Sequence, residues 1–79
     1  MGKSKRQITN RIRTLRFNHD EMTQSELARL VGVTRQTVYA MEKNKYSPSL
    51  EVAFRIAEVF DVPLEEVFQF QPSADSKSR

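Results

Sequence analysis

The chain has 79 residues, of which 38% are hydrophobic and 29% charged, and a formal net charge of +3. This length suffices for one small domain with a thin core, so association of two chains would add stability. The sequence has no cysteine and one histidine, which excludes disulfides and leads us to expect neither a metal nor another cofactor. Because no apolar run approaches the ~18 residues of a membrane span, we expect a cytoplasmic protein with no membrane partner.

The charge is divided unequally along the chain. Residues 1–46 carry ten basic and four acidic side chains, a net of +6, whereas residues 47–79 carry three basic and six acidic ones, a net of −3. This division is typical of a protein with one face on phosphate groups. A merely solvated pattern of charges is the alternative.

The chain begins with a short basic segment, followed by a predicted helix. Residues 1–6 (MGKSKR) lack apolar periodicity and are predicted to be a disordered tail. An arm that contacts phosphate or a minor groove is the alternative. The spacing of Ile8, Ile12 and Leu15 predicts a first helix over Asn10–Asn18.

The stretch Thr23–Lys43 predicts two short helices joined by a tight turn. Thr23 and Glu26 have the spacing of a capping box, in which each side chain bonds the other residue's amide. An apolar stripe with helical spacing follows, formed by Leu27, Leu30 and Val31. Gly32 comes after this stripe, where a left-handed residue closes a helix at little cost.

Thr34 is predicted to cap the second of these helices, Arg35–Glu42. If Val38 faces inward, a rotation of about 100° per residue also places Met41 and Glu42 on the inner side. The predicted base-reading residues lie on or beside the outer face: Arg35, Gln36, Thr37, Tyr39 and Ala40. Gln and Arg can pair with both edge atoms of adenine and guanine, and a Thr or Ala methyl can contact thymine. This face is predicted to enter the major groove of double-stranded DNA, and a solvated polar face is the alternative.

Side chains at the borders of this face are predicted to bind DNA phosphates. A helix N-terminus offers free amides to an anion, and a short basic loop follows the second helix. Asn44 in that loop is predicted to be left-handed and to end the helix. The predicted phosphate-binding residues are Thr23, Gln24, Ser25, Thr34, Lys43, Lys45 and Tyr46. For the basic loop, a solvated turn is the alternative.

The second half of the chain predicts two further helices and a strand. Ser47 is predicted to cap the fourth helix, with Pro48 at its first position. Its apolar residues would close the core over the first helix: Leu50, Ala53, Phe54, Ile56, Ala57 and Phe60. A short fifth helix, Leu64–Val67, follows. Phe68–Gln71 alternates apolar and polar residues, which predicts a strand, and Gln7–Asn10 is its available partner.

Several of these stretches resemble the XRE or phage-repressor (Cro/C1-like) type of helix-turn-helix. The resemblance covers residues 8 to 70 and is carried by Gln24–Ala28 (QSELA), Gly32–Val38 (GVTRQTV) and Met41–Lys45 (MEKNK), then Pro48–Leu50 and Ile56–Phe60. Within this family, the ending Pro63–Pro72 is similar to the small dimeric repressors of cytolysin operons.

The resemblance implies a mainly α, five-helix lambda-repressor-like domain over residues 7–72, with a small two-stranded antiparallel sheet formed by the termini. Residues 73–79 are expected to be a disordered tail. The family pairs an arginine at the position of Arg16 with a glutamate at that of Glu42, as a structural brace. The inward position of Glu42 agrees, since a buried carboxylate needs a partner.

A homodimer is also implied, because one recognition helix alone gives too little contact for high specificity. The predicted interface is the apolar C-terminal cluster of Leu64, Val67, Phe68 and Phe70. The alternative is that these four residues complete the core of a single chain.

Together these features predict a sequence-specific DNA-binding transcriptional regulator, a repressor that binds an inverted-repeat operator as a homodimer and is associated with the nucleoid. No small-molecule ligand is indicated. The alternative is an antitoxin-like or partner-dependent interaction protein that uses the same domain. An enzyme is not expected, because the sequence shows no Gly-rich phosphate loop, metal-ligand set or nucleophile–base pair.

Overall fold

The computed structural model describes residues 7–71, and the predicted tails 1–6 and 73–79 lie outside the described residues. In chain order, the elements are β1 (Gln7–Asn10), α1 (Ile12–Phe17), α2 (Gln24–Val31), α3 (Arg35–Glu42), α4 (Leu50–Phe60), α5 (Leu64–Val67) and β2 (Phe68–Gln71). The predicted mainly α fold with five helices and a small sheet is confirmed. Every helix of this part of the chain is too short or too polar to cross a membrane.

The two strands join the distant ends of the described chain into an antiparallel pair, as predicted. Ile8 lies opposite Phe70, and Asn10 lies opposite Phe68. Helix α1 therefore begins at Ile12 rather than at Asn10. The difference arises because Asn10 is the last residue of β1, and its side-chain oxygen accepts a hydrogen bond of 3.0 Å from the Ile12 amide.

Helices α2 and α3 form the predicted helix-turn-helix, with the predicted residues at its caps. The Thr23 hydroxyl accepts a hydrogen bond from the Glu26 amide at 3.0 Å, and Gly32 ends α2 with a φ of +81°. The Thr34 hydroxyl accepts from the Thr37 amide at 3.1 Å. Only the second half of the predicted capping box is wrong: the Glu26 carboxylate accepts from Arg29 at 2.6 Å instead of reaching back to Thr23.

One apolar core holds the helices together. Its buried residues come from α1 to α5: Ile12, Leu27, Ala28, Val31, Val38, Met41, Ile56, Ala57, Phe60 and Val67. Val38 and Met41 face inward as predicted, which fixes the rotation of α3 about its axis. Leu30, predicted to belong to the apolar stripe of α2, is exposed.

The start of α4 corrects the prediction for Ser47 and Pro48. Ser49 is the cap, since its hydroxyl accepts from the Val52 amide at 3.2 Å, and Leu50 is the first helical residue. Both serines have the chemistry of a cap, so composition alone does not choose between them. Two residues that were predicted to be in the core, Leu50 and Phe54, are 72% and 56% exposed.

An ion pair links α1 to the end of α3. Arg16 donates from Nε to Oε2 of Glu42 at 2.6 Å and from Nη2 to Oε1 at 3.1 Å. A third guanidinium nitrogen, Nη1, donates to the carbonyl of Met22 at 2.7 Å. The Arg16 and Glu42 side chains are only 15% and 8% exposed, so this pair is shielded from water and holds the C-terminal end of α3 against α1 and the loop after it.

Replacing Ser49 should destabilise the protein more than replacing Ser47. Ser49→Ala removes the cap of α4, so we expect the free energy of unfolding to fall by about 1 kcal/mol in urea denaturation. Ser47→Ala is the matched control and should stay within about 0.5 kcal/mol of the unaltered protein. A larger loss with Ser47→Ala would place the start of α4 at Pro48 instead.

Replacing Glu42 should be costly, because it leaves the shielded Arg16 guanidinium without its counter-charge. We expect Glu42→Ala to lower the free energy of unfolding by about 3 kcal/mol. Glu51→Ala, which breaks the exposed Arg55–Glu51 pair of α4, is the control and should cost below about 0.5 kcal/mol. Similar losses in the two variants, measured by thermal and urea denaturation, would contradict a special role for Arg16–Glu42.

Candidate nucleic-acid interface

The outward surface of α3 carries the residues predicted to read bases. Arg35, Gln36 and Tyr39 are exposed, while Thr37 and Ala40 are half-buried. This arrangement follows from the burial of Val38 and Met41 on the opposite side of the helix. The Thr37 hydroxyl is 3.0 Å from that of Thr34. The Gln36 side chain, in contrast, makes no hydrogen bond within residues 7–71, so its side-chain amide is available to a ligand.

Gln24 connects the two ends of α3, a role that the sequence did not indicate. Its side-chain Nε2 donates to Oε1 of Glu42 at 3.1 Å, and its Oε1 accepts from Nη1 of Arg35 at 3.3 Å. Since Gln24 and Arg35 are the first residues of α2 and α3, this contact also brings the two helix N-termini together. A continuous polar network therefore runs through Arg16, Glu42, Gln24 and Arg35.

This network also sets the charge of the surface. The Glu42 carboxylate accepts three hydrogen bonds, from Arg16 and Gln24, and is largely removed from solvent. On α2, the Glu26 carboxylate is paired with Arg29. The hydrogen bond that Arg29 donates to Glu26, followed by the negative charge of that carboxylate, raises the pKa of the Arg29 guanidinium. Both acidic residues of this region are thus neutralised, and Arg35 and Lys43 leave the outer face cationic.

The basic loop after α3 has a defined conformation. Asn44 is left-handed, with a φ of +61°, as predicted. The amide of Lys45 donates to Ala40 at 2.9 Å and that of Asn44 to Met41 at 3.0 Å, which is the pair of bonds in a Schellman motif. Lys43 lies 5.6 Å from the ring centre of Tyr39, within the range of a cation–π contact.

The side chains predicted to contact phosphate occupy both ends of this surface. Lys43, Lys45 and Tyr46 are exposed in the loop that follows α3. Thr23, Ser25 and Thr34 are exposed at the helix N-termini, and Gln24 beside them is half-buried in the network. Free amides at two adjacent N-termini carry partial positive charge and suit the binding of an anion.

Three of the four residues predicted to form a dimer interface, Leu64, Phe68 and Phe70, line one apolar groove. The groove has a volume of about 980 Å³, and its lining also includes Ile8, Leu50 and Ala53, together with Lys43, Lys45 and Tyr46 of the basic loop. Phe70 is 61% exposed, and Leu64 and Phe68 are half-buried. Val67 is fully buried in the core of the single chain, so it supports this surface only from beneath.

Comparison with known proteins identifies the family. Residues 17–67, from the last residue of α1 to the end of α5, match the sequence model of the family described as Helix-turn-helix. The chain is 45% identical over 64 residues to an uncharacterized HTH-type transcriptional regulator of Methanocaldococcus jannaschii, a match that covers 81% of this chain and 96% of the relative. A second such regulator, from Archaeoglobus fulgidus, is 50% identical over 63 residues, with 80% and 89% of the two chains covered.

Solved structures share the fold. A Bacteroides fragilis protein crystallised as a candidate DNA-binding protein superposes with a TM-score of 0.68 at 26% identity and covers 78% of this chain and 98% of its own. The transcriptional regulator VanUg has the same TM-score, 0.68, at 20% identity, with 92% and 96% of the chains covered. Fold, sequence match and relatives agree: this chain belongs to the XRE-type helix-turn-helix family of DNA-binding transcriptional regulators.

Proposed function

We propose that this protein is a repressor that binds an inverted-repeat operator as a homodimer, with α3 of each chain in a major groove. The proposal depends above all on one observation: the outer face of α3 is free of core contacts, while the network from Arg16 through Glu42 and Gln24 to Arg35 fixes its orientation. A helix that is held in this way presents its donors already in place, which lowers the entropy lost on binding.

In this proposal, bases are read from the N-terminal part of α3. Gln36 can donate to and accept from the major-groove edge of adenine, and Arg35 can donate twice to guanine. The methyl of Ala40 suits contact with the thymine methyl, and Tyr39 lies beside it. Which base each side chain meets depends on the angle at which α3 enters the groove.

Contacts with phosphates on both sides of the DNA major groove would fix the angle of α3. The N-termini of α2 and α3 would bind the phosphates of one DNA strand. The contacts would come from the amides and side chains of Thr23, Gln24, Ser25 and Thr34. Lys43, Lys45 and Tyr46 would take phosphates at the other end of α3. These contacts supply affinity that falls with salt but does not depend on sequence.

The homodimer is supported by the apolar groove on the side of β1, β2 and the start of α4. Three of its residues, Ile8, Leu50 and Phe70, are 46%, 72% and 61% exposed in the single chain. A contiguous apolar surface of this kind marks an association site. A two-fold axis here would give two recognition helices, which in dimers of this motif lie about 34 Å apart along DNA. Occupation of an operator that overlaps a promoter would then block transcription.

The first experiment is selection of bound fragments from the source genome, washed at about 0.15 M salt, where non-specific binding is weak. An enriched inverted repeat with half-sites about 10–11 base pairs apart would support binding of an operator by a dimer. The positions of the enriched fragments would also identify the target genes. Uniform recovery of fragments would contradict the proposal and favour a protein that depends on a partner for DNA binding.

Gln36→Ala should weaken base discrimination while the protein stays folded. We expect a loss of about 1–3 kcal/mol in the difference between operator and scrambled DNA, because one bidentate base contact is removed. Fluorescence anisotropy titrations on both DNAs measure this difference. Thr14→Ala, an exposed neutral change on α1, is the control and should leave discrimination unchanged. Equal discrimination by Gln36→Ala and the unaltered protein would remove Gln36 from the base-reading residues.

Phe70→Glu should convert the dimer to a monomer, because it places a charge in the apolar groove. Sedimentation velocity at micromolar concentration measures the change in mass. Phe17→Glu is the matched control, since Phe17 is 66% exposed on α1 and does not line the groove. The proposed interface is wrong if Phe70→Glu remains dimeric or if both variants dissociate alike.

A further inference from the structure

The side chain of Asn10, the last residue of β1, makes three hydrogen bonds. Its Nδ2 donates to the Met41 carbonyl at 2.8 Å and to Oδ1 of Asn44 at 2.9 Å. Its Oδ1 accepts from the Ile12 amide at 3.0 Å. Both donor hydrogens and the carbonyl oxygen of this amide are therefore engaged.

Two of these bonds reach the exit of α3, across 31 and 34 residues of sequence. Met41 is in the last turn of α3, and Asn44 is the left-handed residue of the Schellman motif. The turn that Asn10 holds is thus the one that sets the direction of Lys43 and Lys45. Asn10 belongs to β1 and lies opposite Phe68 of β2, so the same side chain joins the sheet to the basic loop.

We propose that Asn10 is a positioning residue for DNA recognition: it fixes the exit of α3, and with it the basic loop, relative to the terminal sheet. The inference rests on the proposed function, because it assigns Lys43 and Lys45 to phosphate contacts. It adds a residue outside the helix-turn-helix, one that touches no DNA, to those that determine affinity. Asn10 also connects the proposed dimer interface to the proposed phosphate-binding loop, because Asn10, Phe68 and Phe70 line the same groove.

A simpler role for Asn10 would be that of a cap for α1 through its bond to Ile12. Asn10→Asp separates the two roles, because aspartate keeps the oxygen that accepts from the Ile12 amide. It replaces the donating nitrogen with an oxygen that faces two acceptors, the Met41 carbonyl and Oδ1 of Asn44. A cap alone would survive this change, whereas the bond to the Met41 carbonyl at the exit of α3 would be lost.

A second variant removes the acceptor on Asn44 instead of the donor on Asn10, and it adds no charge. Asn44→Gly removes the acceptor of one Asn10 bond, and glycine retains the left-handed conformation. If both variants change DNA binding in the same way, the added charge of Asn10→Asp is not the cause. Thr9→Val is the matched control: it removes the 3.3 Å bond between Thr9 and Gln69, on the other face of the same sheet, and leaves the exit of α3 untouched.

The first measurement is amide hydrogen exchange in the free protein. In Asn10→Asp, we expect the Asn44 and Lys45 amides to exchange about fivefold to tenfold faster while the Val38 amide is unchanged. Thr9→Val should leave all three rates unaltered. Equal acceleration of every amide would show general destabilisation and would overturn the proposal.

The second measurement is operator affinity as a function of salt, made well below the melting temperature of each variant. We expect Asn10→Asp and Asn44→Gly to bind about tenfold more weakly, with a salt slope smaller by about one, because a phosphate contact is lost. Folded variants with the affinity and slope of the unaltered protein would overturn the positioning role. If the unaltered protein itself selects no operator, the proposed function fails instead, and the exchange rates still decide whether Asn10 holds the turn.

Discussion

The ion pair between Arg16 and Glu42 is the constraint on which the placement of α3 depends. A carboxylate this shielded from water is stable only if its charge is balanced and its oxygens are bonded. Arg16 and Gln24 meet both needs, with three hydrogen bonds of 2.6 to 3.1 Å. Because Glu42 is the last residue of α3, side chains from α1 and α2 hold the same end of the helix. The core residues Val38 and Met41 set its rotation, and the polar contacts then set its tilt.

Two surfaces result from this arrangement, and they are joined through the end of α3. One is cationic and polar, with Gln36 exposed at its centre and its neighbouring carboxylates neutralised. The other is the apolar groove beside the terminal sheet, to which Ile8 and Phe70 contribute. Asn10 lies between them, bonded to the Met41 carbonyl on one side and paired with Phe68 on the other. One fully bonded side-chain amide therefore connects the sheet to the cationic surface at the end of α3.

The sequence by itself determined the local parts of this structure. Helix caps depend on contacts over three residues, so Thr23 and Thr34 could be assigned from spacing alone. The left-handed positions at Gly32 and Asn44 follow from residue types that tolerate a positive φ. The outward face of α3 followed from the regular rotation of a helix once Val38 was taken as buried. The family resemblance, rather than spacing, supplied the pairing of Arg16 with Glu42.

Only the tertiary structure decided two long-range polar contacts and the burial of ambiguous apolar residues. Gln24 meets Glu42 across 18 residues, and Asn10 meets Asn44 across 34, distances at which periodicity carries no information. Leu50 and Phe54 have the spacing of core residues, but the core is already filled by Ala53, Ile56 and their neighbours. Ser47 and Ser49 could both cap α4, and the structure shows that Ser49 is the cap and that the helix begins at Leu50. Local chemistry defines the elements, and their packing defines which polar side chains can meet.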